Sequence, residues 1–207
     1  MKPILLGIDG IGYGSFTECE LNNLTYLVNS VNRGVIENPD LKDPYRAWWS
    51  VLMMEPVSSA PAIRPEESML VRLVKAALVN IPVSNPTYGI YSIPMDSSTP
   101  AEEEVSRVIE AALREAEDKP VVAAITAVDR FKDRADLCNV YRVVDEGVGE
   151  LLKEADDFII FSPYGEPEGG EYYSYGIYLS TVPRPRPHDT VKVFEVPALF
   201  AELASRV

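Results

Sequence analysis

The residues of this sequence best placed to do chemistry are carboxylates that follow apolar runs. Residues 3–8 form a continuous apolar stretch that stops at Asp9, and Asp9 leads into Gly10-Ile11-Gly12-Tyr13-Gly14. Residues 120–128 form a second such stretch, which stops at Asp129, four positions before Asp133. In open α/β sheets ligands bind beyond the carboxyl ends of the strands. An aspartate at a strand tip therefore offers oxygen to a hard or borderline cation. Asp129 and Asp133 point the same way if a helical turn follows the strand. His188, the one histidine of the chain, is the imidazole such a set would draw on. Each also has a plainer role open to it. Asp9 can cap the turn that follows, Asp129 and Asp133 can pair with Arg130, Lys132 or Arg134, and His188 can be a solvated loop residue. The glycines lack the spacing of a dinucleotide loop, and a carboxylate stands where a pyrophosphate would approach. Their backbone amides, at Gly10, Gly12 and Gly14 before the next helix, are candidates for binding a small ligand.

These tips need elements to hold them. Unbroken apolar runs suit parallel strands buried on both faces. The expected strands are residues 3–8, a short piece at 35–36, a strand end at 79–82, residues 120–128 and residues 157–161. Helices are expected over 16–30, 66–78, 100–117, 135–155 and 197–205, where apolar residues recur at three- and four-residue spacing. Thr99 and Pro100 mark the start of the third of these. Residues 47–54 are apolar almost throughout, and periodicity does not choose between helix and strand there. Residues 172–181 alternate in part and read as a hairpin or edge strand. Pro183-Arg184-Pro185-Arg186-Pro187 reads as a stiff surface loop. Alternation of strand and helix argues for one α/β domain over residues 1–207, with a mainly parallel central sheet and helices on both faces.

Composition sets the outer limits. The chain has 207 residues, 46% of them apolar and 25% charged, which suits a self-sufficient core. The net charge of −13 repels phosphate backbones and argues against nucleic acid as a partner. The acid run Glu102–Glu104 reads as a solvated helix face. No stretch reaches the length of a membrane span, and the apolar start is too short for a secretion signal. Two cysteines without a CxxC pattern, Cys19 and Cys138, give a reducing compartment as the default and hence a cytoplasmic protein, with one bridge between them left open. Tyrosines at 172, 173, 175 and 178 mark a region where a second copy or another protein could dock, because interfaces are rich in tyrosine. A half-buried edge strand is the alternative.

Six segments together resemble the alkaline phosphatase superfamily, in its phosphodiesterase/nucleotide pyrophosphatase branch. Leu5-Leu6-Gly7-Ile8-Asp9-Gly10 is similar to the opening strand with its metal-binding aspartate. Ala47-Trp48-Trp49-Ser50-Val51-Leu52 is similar to the stretch just after the nucleophile, and Val79-Asn80-Ile81-Pro82 to the branch's asparagine–proline strand end. Asp129 through Asp133, with Tyr141 and Asp145 on the next helix, resembles the DxxxH motif and the helix behind it. Phe158-Ile159-Ile160-Phe161-Ser162-Pro163-Tyr164-Gly165 resembles the strand that leads to SDHG. Residues 193–203, with Glu195 and Pro197, resemble the closing helix.

The resemblance implies an alkaline phosphatase-like fold and, in intact members, two metal ions about 3.5–4 Å apart that clamp the attacking and leaving oxygens. It places the serine or threonine nucleophile at Pro44, which carries no nucleophilic atom. Of the first metal's ligands it keeps Asp9 and puts Pro163 and Tyr164 at the Asp-His positions. Of the second it keeps Asp129, puts Asp133 at the histidine position and leaves His188 as a late histidine in a poorly matching context. The large cap insertion has no room in this chain. The expectation is therefore a degenerate member without ordinary phosphoester hydrolysis and without a resident cofactor, acting in binding or assembly. Two rivals stand beside it. One is a hydrolase with an altered one-metal site of Asp9, Asp129, Asp133 and His188 that binds zinc, manganese or magnesium. The other is an unrelated small α/β regulatory or carrier domain.

Overall fold

A computed structural model describes residues 1–38, 43–184 and 190–206. The elements run β1 (Ile4–Ile8), α1 (Tyr13–Glu18), α2 (Asn22–Ser30), β2 (Asn32–Glu37), α3 (Pro44–Met53), α4 (Met69–Val74), β3 (Ala77–Val79), α5 (Ala101–Glu115), β4 (Val121–Ile125), α6 (Ala127–Arg130), α7 (Leu137–Glu154) and β5 (Phe158–Phe161). They continue with β6 (Pro167–Glu168), β7 (Glu171–Tyr172), β8 (Tyr175–Ser180), β9 (Thr190–Lys192) and α8 (Val196–Ser205). Seven strands form one sheet in the order β3-β4-β1-β5-β8-β2-β9, and β6 pairs with β7 in a small separate hairpin. Strands β3, β4, β1 and β5 run parallel to one another, whereas β8 runs antiparallel to both β5 and β2.

Period-two alternation explains the two helix layers. Ile4, Leu6 and Ile8 of β1 pack with residues of α1, α2, α5 and α7. Leu5 faces the other way, into a second core with α3, α4 and α8. The central strands β1, β4 and β5 are buried at every position, as unbroken apolar runs require. The mainly parallel α/β architecture read from the sequence is thus the observed one.

Local differences have local causes. The expected helix over 16–30 is two helices, because Glu20 takes a left-handed backbone (φ 57°) between α1 and α2. The expected helix over 66–78 is a 3-10 turn (Pro65–Glu67) followed by α4, and Lys75 closes α4 in the left-handed region (φ 55°). Ala77 and Leu78 consequently belong to β3, since the chain must turn there to reach the sheet. Residues 47–53 fall in α3, and Met54 ends it in the left-handed region (φ 61°). The helix is started by Asp43, whose carboxylate accepts the Tyr45 N–H at 3.1 Å, with Pro44 at the first helical position. The stretch read as an edge strand, β8, lies inside the sheet between β5 and β2.

Long-range ties complete the frame. Leu21 cannot cap α2, and Asp145 of α7 does so from across the molecule. Its carboxylate accepts the N–H groups of Asn23 at 3.1 Å and Leu24 at 2.8 Å. Cys19, at the end of α1, forms a disulfide with Cys138 in the first turn of α7. The bridge left open by the sequence is therefore present. No helix among the described residues is long and apolar enough to cross a membrane.

Candidate functional site at the strand tips

Strand order brings the two aspartates to neighbouring tips. Asp9 follows β1, and its N–H bonds the Ile125 carbonyl of β4 at 3.1 Å. Asp129 lies in α6, the single helical turn that leaves β4. The loop after β5 closes the third side. Ser162 donates to the Tyr164 carbonyl at 2.6 Å and accepts the Ile11 N–H at 3.2 Å, which ties this loop to the turn after Asp9.

Asp9 is completely buried. One of its oxygens, Oδ1, accepts the indole N–H of Trp48 on α3 at 2.9 Å. Trp48 reaches it by crossing the face of Gly7, where any Cβ would overlap the indole ring. Its other oxygen, Oδ2, has no hydrogen-bond partner among the described residues. Burial pushes the Asp9 carboxyl well above the usual carboxylate range, against the opposing pull of the Trp48 N–H. Asp129 is raised too, by burial, although Lys132 opposes the shift. Its Oδ1 accepts the hydroxyl of Tyr172 and lies 3.5 Å from the Lys132 ammonium.

Tyr164 fills the space between these acids and the hairpin. It is fully buried, and its ring lies 4.3 Å from that of Tyr172. The charges of Asp9, Asp129 and Asp43 all act on its hydroxyl, which has no partner among the described residues. Burial is the main cause of its raised pKa.

Asp133 stands apart from this group. It lies past the end of α6, in an exposed turn, because the helix stops at Arg130. His188 lies outside the described residues. Among the described residues, no three His, Cys, Asp or Glu side chains converge to hold a metal ion. The donors already present agree with that. An indole N–H takes Asp9 Oδ1, and a phenol and an ammonium share Asp129 Oδ1. The described residues do not fit a two-metal centre.

The glycine turn is occupied from within. Glu166, just past the β5 loop, accepts the Ser15 N–H of α1 at 2.8 Å. A Cβ at Gly12 would overlap its carboxylate. The Gly10 carbonyl accepts the hydroxyl of Tyr141 at 2.8 Å. The amino end of α1, which the sequence offered to a ligand, thus receives an anion of the chain itself.

An open cleft of about 280 Å3 lies beside the buried acids, lined by Pro44, Tyr45, Pro82, Met95, Asp129 and Lys132 among others. Pro44 borders it at the start of α3, so the nucleophile position of the resemblance does face a cavity. Next to it is a polar group that sequence reasoning missed. Glu104 of α5 accepts from Asn80 Nδ2 at 2.8 Å, from the Thr126 N–H at 2.6 Å, from the Thr126 hydroxyl at 2.7 Å and from Arg130 at 2.6 Å. Glu104 and Arg130 are both fully buried at their side chains. The signal was available, since Glu104 lies on the inward stripe with Ala101, Val105 and Val108.

The fold is alkaline phosphatase-like, a mostly parallel seven-stranded sheet between helices. Comparison with solved structures finds murine ectonucleotide pyrophosphatase/phosphodiesterase 5, in an inactive variant in complex with AMP, at TM-score 0.68 and 9% identity over 99% of this chain and 95% of that one. Alkaline phosphatase from the Antarctic bacterium TAB5 superposes with TM-score 0.68 at 8% identity, over 99% of this chain and 97% of that one. No family model matches the sequence, and no curated protein does.

The buried acid makes one prediction here. The folded protein holds the Asp9 proton more tightly than the unfolded chain, so this group opposes folding increasingly as pH rises above 3.8, the ordinary aspartate value. Asp9→Asn keeps an acceptor for Trp48 and removes the charge. It should stabilise the protein by about 1–3 kcal/mol at neutral pH, with the difference shrinking toward pH 4. Thermal unfolding of both proteins across pH 4–8 measures it. A variant less stable than the parent at pH 7 would show that the ionised carboxylate has a partner.

Proposed function

We propose that this chain acts by binding rather than by phosphoester hydrolysis, on a frame whose relatives in structure include phosphatases and phosphodiesterases. One observation carries the reading. A fully buried phenol, Tyr164, stands near Asp9 and Asp129 at the position where the resemblance expects a metal-binding imidazole. Phosphoryl transfer is almost entirely positioning and charge neutralisation, so a site without a cation shell or a nucleophile loses most of its rate. Pro44 supplies no nucleophile at the mouth of the cleft. Among the structural neighbours, murine phosphodiesterase 5 is known in an inactive form in complex with AMP. The cleft beside Lys132 is the place where a ligand would sit here.

A second reading is favoured by two unpartnered groups. Asp9 Oδ2 and the Tyr164 hydroxyl are both buried and unsatisfied, and a single small cation or a water would satisfy them. On that reading Asp9 and Asp129 would hold one metal, which would supply an activated water. Strand order and fold likeness give no support to an unrelated carrier domain.

The test is turnover of bis(4-nitrophenyl) phosphate with Mn2+, Zn2+ or Mg2+, together with metal analysis of the purified protein. The binding reading expects background rates and substoichiometric metal. Turnover that disappears in both Asp9→Ala and Asp129→Ala, with folding retained, establishes the one-metal hydrolase instead.

A further inference from the structure

Away from the strand tips, α5 and α7 leave a groove of about 400 Å3 between them. It is built at helical spacing on both sides. Its lining positions on α5 fall at intervals of three and four from Glu102 to Leu113, and those on α7 do the same from Val143 to Glu150. The groove therefore runs along the helix pair. Eleven residues of α5 at 1.5 Å each make it about 16 Å long, the length of three helical turns. Gly147 sets its depth. A Cβ there would overlap Val105 on α5, so the two helices can approach only because position 147 is glycine.

Floor and rim differ in chemistry. Val105, Ile109, Leu113 and Val143 make the floor, and Glu102, Glu110, Glu146 and Glu150 make the rim. Glu110 has Arg107 at 3.2 Å and Glu150 has Lys153 at 2.6 Å on its own helix, exposed pairs that stabilise little. Glu102 and Glu146 form no ion pair among the described residues. An apolar trough between acidic walls, on a chain of net charge −13, repels nucleic acid, anionic membranes and a second copy of itself. It matches a helix with one apolar ridge and lysines or arginines on both flanks, which is the helix-in-groove mode of peptide recognition.

We propose that the α5–α7 groove docks a basic amphipathic helix of a partner protein. This site is separate from the strand-tip cleft, so hydrolysis at the cleft would leave the proposal standing. The probe is a fluorescently labelled synthetic helix of leucine and lysine, about 15 residues long, titrated with the intact protein at 150 mM salt. Its leucine–glutamate counterpart serves as a control. Saturable binding of the basic helix alone is expected. It should weaken at least tenfold in Glu102→Gln/Glu146→Gln and stay within twofold in Glu20→Gln/Glu55→Gln, which removes the same charge from exposed positions elsewhere. Leu113→Ser, with its fold checked by circular dichroism, should also weaken binding several-fold. Equal weakening by the two double variants would overturn the proposal, because it would reduce the attraction to overall charge. Absence of saturable binding would overturn it too.

Discussion

Glu104→Ala should destabilise the protein by about 3–5 kcal/mol, the range for breaking a buried ion pair from one side. In a chain of this length that lowers Tm by roughly 6–20 °C. The size follows from what Glu104 holds. Its carboxylate is the common acceptor for Asn80 at the end of β3, Thr126 at the end of β4 and Arg130 of α6. Arg130 in turn donates to the carbonyls of Asp96 and Thr99 at 2.8 Å each, which fixes the long segment between β3 and α5. Removing Glu104 leaves a guanidinium buried without its counter-ion and three further donors unpaired. Chemical denaturation of Glu104→Ala, Arg130→Met and a double variant Glu104→Leu/Arg130→Met checks the argument. Each single change should cost more than the double one, since the double change removes both charges together. Additive losses would mean that the pair is not a coupled unit.

The second large effect concerns the disulfide. Cys19 and Cys138 are 119 positions apart, and closing a loop of that length removes much of the freedom of the unfolded chain. Chain entropy puts the stabilisation at about 4–5 kcal/mol. Cys19→Ser/Cys138→Ser, or the reduced parent, should therefore unfold at markedly lower denaturant. The slope of the transition should change as well, because an untethered unfolded chain exposes more surface. Identical midpoints for oxidised and reduced protein would refute this. Cys19 is almost fully buried, so reduction is best carried out on the unfolded chain before refolding.

Sequence and structure agree best where a single physical rule dominates. Asp9 was legible as a strand-tip acid because β1 is apolar at every position and ends abruptly, whereas the run read as strand over 120–128 leaves the sheet at Ile125 and passes into α6, which carries Asp129. The order of elements was legible for the same reason. The lapses share a different cause, which is that tertiary partners decide what a local pattern leaves open. The run Glu102–Glu104 reads as solvated, yet its third member turns inward to meet Arg130. Residues 47–54 read as helix or strand, although Asp43 and Pro44 carry the same start signal that was recognised at Pro100. The four tyrosines read as a docking region or, alternatively, as a half-buried strand. In the fold Tyr172 and Tyr178 are buried, and only Tyr173 and Tyr175 of the set face solvent. A partner at that hairpin therefore rests on two rings rather than four. No property of Glu166 in the sequence reveals that it reaches back to the amide of Ser15.

That last contact bears on ligand choice. A turn of glycines ahead of a helix ordinarily attracts negative charge from outside. Here the appetite is met before any visitor arrives, because the protein supplies its own acid to the spot. A molecule entering from solvent finds this corner electrically sated. On the proposed binding reading, selection among candidates would then come from the fit against Pro44, Tyr45, Pro82 and Met95 and from the Lys132 ammonium.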